Sequence, residues 1–173
     1  MSNLDVSVRQ LKDVAFIDLE ASGLSARSWP IEAGWCFAGG AAKAMLIRPH
    51  ESWSLEDWNP VAEALHGVSY DTLVKEGVPA GEVCEKLNGA LAGKLVFSDA
   101  PDWDGFWLYR LFQAAKMRQR FIVSDFSSIL RAAPPEKLDA YMEEAERRAP
   151  RMHRAIPDVL HMRALYELAA PGL

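Results

Sequence analysis

The chain has 173 residues, half of them hydrophobic, which is enough to bury one sizeable core and too few to divide comfortably into two. Its formal net charge of −5, with 24 Asp and Glu against 19 Lys and Arg, argues against a protein that coats nucleic acid by neutralising phosphates. It does not exclude an enzyme that grips one end of a strand, because carboxylates gathered around divalent cations would make such an enzyme acidic while still presenting positive charge to a phosphate once the metals are bound.

A single domain over 1–173, with its core at about 14–170, is therefore expected. Met1 to Lys12 is polar, with neither a secretory apolar core nor an Arg-rich leader, and no apolar run reaches membrane-spanning length. A cytoplasmic protein with no membrane partner follows as an expectation. Val14-Ala15-Phe16-Ile17 predicts a buried strand that ends in Asp-Leu-Glu and a glycine. Ile31 to Ala38 and Ala42 to Ile47 are strand-like and meet at a Gly39-Gly40 turn, which predicts an opening antiparallel meander. Cys36 on the second strand, and later Cys84, have apolar neighbours and no CxxC or His spacing, so both are expected as reduced core residues.

From Trp53 to Gly77 the chain is irregular and aromatic, and Pro60, Gly67 and Pro79 break it into short helices and loops. After Pro79 the apolar residues Val83, Leu87, Ala90 and Leu91 recur at helical spacing. Leu95-Val96-Phe97 predicts a short buried strand, Trp103 to Met117 a helix, and Phe121 to Val123 another strand. Breakers at Pro134, Pro135 and Pro150 lead to a last helix starting near Pro157, a residue favoured at the first helical position. Strands followed by alternating helix and strand predict an α/β fold, a mixed sheet with helices on its faces.

Asp18 and Glu20 lie two apart at a strand end, so period-2 alternation points both to one face. Two such carboxylates repel unless a cation compensates them, and oxygen-only ligands favour Mg or Mn over zinc. Solvent-facing acids are the plain alternative. Asp104 shares a helix face with Leu108, Leu111 and Ala115 and so is aimed inward, although an acid at a helix start also satisfies free N–H groups. Asp99 and Asp102 compete with it for either role. Asp158 falls in the first turn of the last helix. His153, in the loop before it, belongs to the residue type whose unperturbed pKa near 6.5 suits proton abstraction at neutral pH.

Taken in order, Asp18-Leu-Glu20-Ala-Ser-Gly-Leu24, Asp104-Gly-Phe-Trp-Leu108 and His153-Arg-Ala-Ile-Pro-Asp158 resemble the three motifs of the DEDDh 3′-to-5′ exonucleases, which include proofreading subunits, ribonuclease T and oligoribonuclease. Leu65-His-Gly-Val-Ser69 is similar to a His-Gly-Ile-Thr stretch that many members carry. The likeness runs from about Val14 to Ala169, and its most specific element is His-x-Ala-x-x-Asp. It departs from the family pattern at Ser98 to Trp103, where members often carry His-Asn-Ala, and at Ala21-Ser22, where Thr-Thr is usual.

The resemblance implies a ribonuclease H-like mixed five-stranded sheet flanked by helices. It implies two Mg2+ or Mn2+ ions, one held by Asp18, Glu20 and Asp158 and a second by Asp18 with Asp104. His153 would be the general base, and nucleoside 5′-monophosphates would leave the 3′ end of single-stranded DNA or RNA. Ser22, Leu24, His66 and Trp103 would contact substrate. Arg147, Arg148, Arg151 and Arg154 around the His153 loop could hold phosphates, but interspersed with acids they also suit a solvated helix face. The oligomeric state is left open, with a homodimer as one option. Two rival readings are a non-catalytic module of the same fold that binds nucleic acid or protein, and a metal phosphatase acting on small esters.

Overall fold

A computed structural model describes residues 13–170, so the polar stretch Met1 to Lys12 lies outside the described residues. Strands β1 (Val14–Ala21), β2 (Pro30–Phe37) and β3 (Lys43–Leu46) form the antiparallel meander, and β4 (Leu95–Ser98) and β5 (Val123–Asp125) add to it in parallel. The sheet order is β3-β2-β1-β4-β5. Helices α1 (Pro60–His66), α2 (Tyr70–Glu76), α3 (Ala80–Leu91), α4 (Pro101–Ala114), α5 (Ser127–Leu130), α6 (Leu138–Arg148) and α7 (Ala155–Ala169) complete the mixed α/β architecture.

β1 is buried on both faces because it lies in the middle of the sheet. Ala15, Ile17, Leu19 and Ala21 enter one core with Trp29, Val83, Leu87, Leu108 and Leu111, the side covered by α3 and α4. Val14 and Phe16 enter the other with Cys36, Val159, Met162, Leu165 and Tyr166, the side covered by α7. Each fully buried side chain of Leu or Phe size contributes about 1.5–3 kcal/mol. These two layers fix which face of β1 each acid can occupy.

Several boundaries differ from the sequence expectation, each for a local reason. Helix α4 starts earlier, with Pro101 in its first turn, and ends at Ala114 with Ala115 as the cap. The last strand is displaced to Val123–Asp125. The segment before it is held as a loop by Asn88, whose side chain donates to the Arg118 carbonyl at 2.9 Å and accepts from the Arg120 N–H at 2.8 Å, while Phe121 packs on Phe112. Leu95, expected in a buried strand, is exposed at the strand's start. Helix α7 begins at Ala155, which makes Pro157 its third residue and not its first. Cys36 and Cys84 are free and buried, and burial pushes both thiols up to about 12. Among the described residues no helix is long and apolar enough to cross a membrane.

Candidate active site

Phe16, Asp18 and Glu20 stand in a row on the face of β1 that α7 covers, and their cross-strand partners on β2 are Cys36, Gly34 and Glu32. Gly34 lets the helix come close: a Cβ there would meet the Ala155 Cβ at 2.6 Å and the Ala155 carbonyl carbon at 2.9 Å. The first turn of α7 therefore rests directly on the strand backbone beside Asp18, and Asp158 lies in that same turn. Carboxylate oxygens of Asp18, Glu20 and Asp158 all fall within 4.8 Å of one another.

Three acids this close cannot all ionise freely. Asp18 is 9 % exposed, and its carboxyl is raised well above the usual range by burial, then by Asp104, Glu20 and Asp158. Glu20 is pushed up to about 8 by burial and then by Asp158 and Glu32. Asp158 is raised by burial against the opposing effects of the Met152 N–H and His153. Asp18 Oδ2 is buried with no hydrogen-bond partner. A bare buried oxygen among mutually repelling carboxylates fits a divalent cation bound by oxygen ligands.

Asp104 sits beside this group and is differently employed. β1 pairs with β4 only from Val14 to Phe16, so the Leu19 N–H beyond that ladder needs another acceptor. Asp104 Oδ1 accepts it at 3.1 Å, between the two acids of β1, and Oδ2 accepts from the Ser98 hydroxyl. Burial raises the Asp104 carboxyl to about 7 against these two bonds. Asp99, the competing acid, lies 3.2 Å from an Arg151 nitrogen. Ser98 was not singled out from the sequence; its place at the end of an apolar strand, just before the acidic cluster, was the available signal.

His153 lies on the exposed loop between α6 and α7 and adopts a left-handed backbone, φ 51°. Asp158 Oδ1 accepts the Met152 N–H at 3.0 Å, so the acid that faces Asp18 and Glu20 also fastens this loop. Arg154 forks onto Glu32 through two bonds of 2.8 Å, and Glu32 also accepts the Ala155 N–H at 3.1 Å. Glu32 is thus a buried acid that supplies the N-terminal bond α7 lacks from a capping side chain of its own. Sequence reasoning missed it, although one acid inside Pro-Ile-Glu-Ala-Gly-Trp-Cys-Phe is a signal of a partner elsewhere.

The four residues expected at the substrate fall in different settings. Leu24 is 71 % exposed and lines a cleft of about 300 Å³ with Gly23, Trp58, Asn59 and Pro60. Trp103 is partly exposed and stacks on Trp107 at 5.4 Å between centroids. Ser22 is fully buried and its Oγ accepts the Trp29 N–H at 3.0 Å, so this hydroxyl braces the turn after β1 and does not reach the surface. His66 is buried against the edge of Trp58, with Nδ1 accepting from Val68 N–H and Nε2 without a partner.

No family model matches the chain, and no curated protein matches it in sequence. Solved structures do. The chain is similar to E. coli exonuclease I in complex with a dT13 oligonucleotide, with a TM-score of 0.72, 14% identity, and 91% of this chain against 41% of that one covered. A zinc-bound E. coli exonuclease I–single-stranded DNA complex gives 0.68 at 14% identity with the same coverage. A moderately thermophilic exonuclease I from Methylocaldum szegediense gives 0.67 at 15% identity, again over 91% and 41%. At these identities the likeness establishes the shared fold, the ribonuclease H-like mixed sheet, and the chain spans about two fifths of the length of those proteins.

Proposed function

We propose that the chain is a metal-dependent 3′-to-5′ exonuclease that hydrolyses the terminal phosphodiester of a single-stranded nucleic acid. The observation that carries the reading is the group of Asp18, Glu20 and Asp158 oxygens within 4.8 Å of one another, with Asp18 Oδ2 buried and unpartnered. Solved exonuclease I structures of the same fold contain single-stranded DNA, which supports the substrate class.

Asp18, Glu20 and Asp158 would hold one Mg2+ or Mn2+, and Asp18 with Asp104, directly or through water, a second. Such ions stabilise both the attacking and the leaving oxygen of an in-line displacement. The chain's own residues supply the rest. His153, exposed on its loop near Asp158, takes the proton of the attacking water as the P–O3′ bond breaks. The released 3′ oxygen takes its proton from solvent, leaving a shortened strand and a nucleoside 5′-monophosphate. Asp104 keeps Leu19, and with it the spacing of Asp18 and Glu20, in place through the strand N–H. Leu24 and the Trp103 face offer apolar surface to the terminal base, where stacking is tolerant of sequence.

The test is a panel of 5′-labelled single- and double-stranded DNA and RNA, dinucleotides and a generic phosphate ester, each with Mg2+ or Mn2+. A ladder shortening from the 3′ end, with 5′-monophosphates released, is the expected result. Ester hydrolysis with intact oligonucleotides would make the chain a phosphatase, and binding without cleavage a non-catalytic module.

A further inference from the structure

We propose that the ion pairs Arg151–Asp99 and Arg154–Glu32 form a clamp that positions His153 over the three acids, a role that rests on the exonuclease reading of this site. His153 is exposed, so packing does not hold its ring, and its left-handed backbone is one that non-glycine residues keep only where the surroundings impose it. The surroundings supply three anchors, one each from the turn after β4, from β2 and from α7. On one side Arg151 reaches Asp99, just past β4, at 3.2 Å. On the other, Arg154 forks onto Glu32 of β2 with both bonds at 2.8 Å. Between them the Met152 N–H is tied to Asp158 of α7.

Both arginines could instead have been free to meet phosphates. In the structure each is directed at an acid of the chain itself, and the two acids come from opposite sides of β1 in the sheet. The fork is geometrically specific, because a guanidinium matched to a carboxylate fixes direction as well as distance. It also compensates Glu32, whose side chain is 5% exposed and whose strand position is opposite Glu20. Asp99 and Arg151, with Glu32 and Arg154, are thus positioning residues. None of them needs to touch the reacting atoms.

Asp99→Asn, Arg151→Gln, their double variant and Arg154→Lys test this in the intact chain, with Lys86→Gln on the exposed side of α3 as the control. On a 5′-labelled oligonucleotide with Mn2+, kcat should fall about 10- to 100-fold, the usual cost of removing a group that orients an active one, with KM nearly constant. The double variant should lose no more than the worse single, since the pair acts as a unit. Arg154→Lys keeps the charge but not the fork, and should fall with the others. Amide hydrogen exchange at Met152 and His153, read without metal or substrate, should speed up in every clamp variant and not in Lys86→Gln. A raised KM with kcat kept would identify the arginines as phosphate contacts and overturn the clamp, as would additive losses, full activity in Arg154→Lys or unchanged exchange. A wild type inactive on every oligonucleotide would sink the exonuclease reading instead, and loop exchange alone would then decide the clamp.

Discussion

Raising the pH from about 5 to about 8 in metal-free protein is expected to weaken the fold, and Mg2+ to restore it. A carboxyl raised in the folded chain keeps its proton there longer than in the unfolded chain. Its contribution is therefore whole below the unfolded value and lost as the pH climbs through the folded one. Glu20 moves from 4.5 to about 8, with burial as the first cause. At about 1.4 kcal/mol per unit, Glu20 alone costs about 3.5 kcal/mol across that range, and about 2 kcal/mol once partial solvent access is allowed for. Asp104, raised to about 7, acts in the same direction. His66, lowered from 6.5 by burial, gains stability as the pH rises and opposes part of the slope, whereas the acids shifted the other way do not. Glu144, bonded to Arg147 and Arg148, is lowered to about 2, and Asp125 is lowered by Ser127, so their contributions are nearly complete before pH 5. Urea unfolding at several pH values, with and without Mg2+, measures the slope. A cation at about 100 times its Kd adds about 2.7 kcal/mol, chiefly at the upper pH, where the acids have lost their protons. Glu20→Gln should lessen the metal-free slope, and Asp18 and Asp104, raised in the same direction, should keep the rest of it. Stability that stays flat or rises from pH 5 to pH 8 without metal would refute the electrostatic account of the site.

Asp18→Asn is expected to abolish trimming while the fold survives, since one member of a repelling group is gone; near wild-type rates with Mn2+ would sink the metal assignment. Asp104→Asn should stop turnover and Asp102→Asn should leave it intact, both read on a labelled oligonucleotide, and the reverse pattern would reassign the second motif. His153→Ala should cut single-turnover rates by about two to four orders of magnitude while calorimetric Mn2+ affinity holds, and a collapse of affinity would make the His a ligand. Gly34→Ala places a Cβ 2.6 Å from that of Ala155, so the first turn of α7 must move. A loss of about 1–3 kcal/mol and weaker Mn2+ binding are expected, and unchanged binding would separate that contact from the position of Asp158.

Much of the fold was legible because its signals are local. The Gly39-Gly40 turn, the apolar run of β1 and the helical spacing of Val83, Leu87 and Leu91 each announce an element, and the elements lie close to where those signals put them. Boundaries set by distant partners were not. Helix α7 starts at Ala155 because Glu32, on a strand more than a hundred residues earlier, accepts its N–H. β5 starts at Val123 because Asn88 holds the preceding loop. Within the site, strand alternation put Asp18 and Glu20 on one face, whereas the Ser98 bond to Asp104 and the partners of Arg151 and Arg154 are products of tertiary approach. Ser22 shows the same limit: a hydroxyl placed by motif toward a substrate is used up by the turn it sits in.

The three acids come from opposite ends of the described chain, Asp18 and Glu20 on its first strand and Asp158 on its last helix. Their meeting closes one of the longest loops the chain can form, and contacts of such sequence separation are slow to make. The meander and the two central helices can order without it, through contacts nearer in sequence. During synthesis the emerging chain then holds two lone carboxylates at a strand end and no complete cation site until α7 has left the ribosome and docked across Gly34. A chain with this order of assembly has no complete cation site before α7 docks, and its Mn2+ affinity, measured during refolding, should appear only in the last kinetic phase.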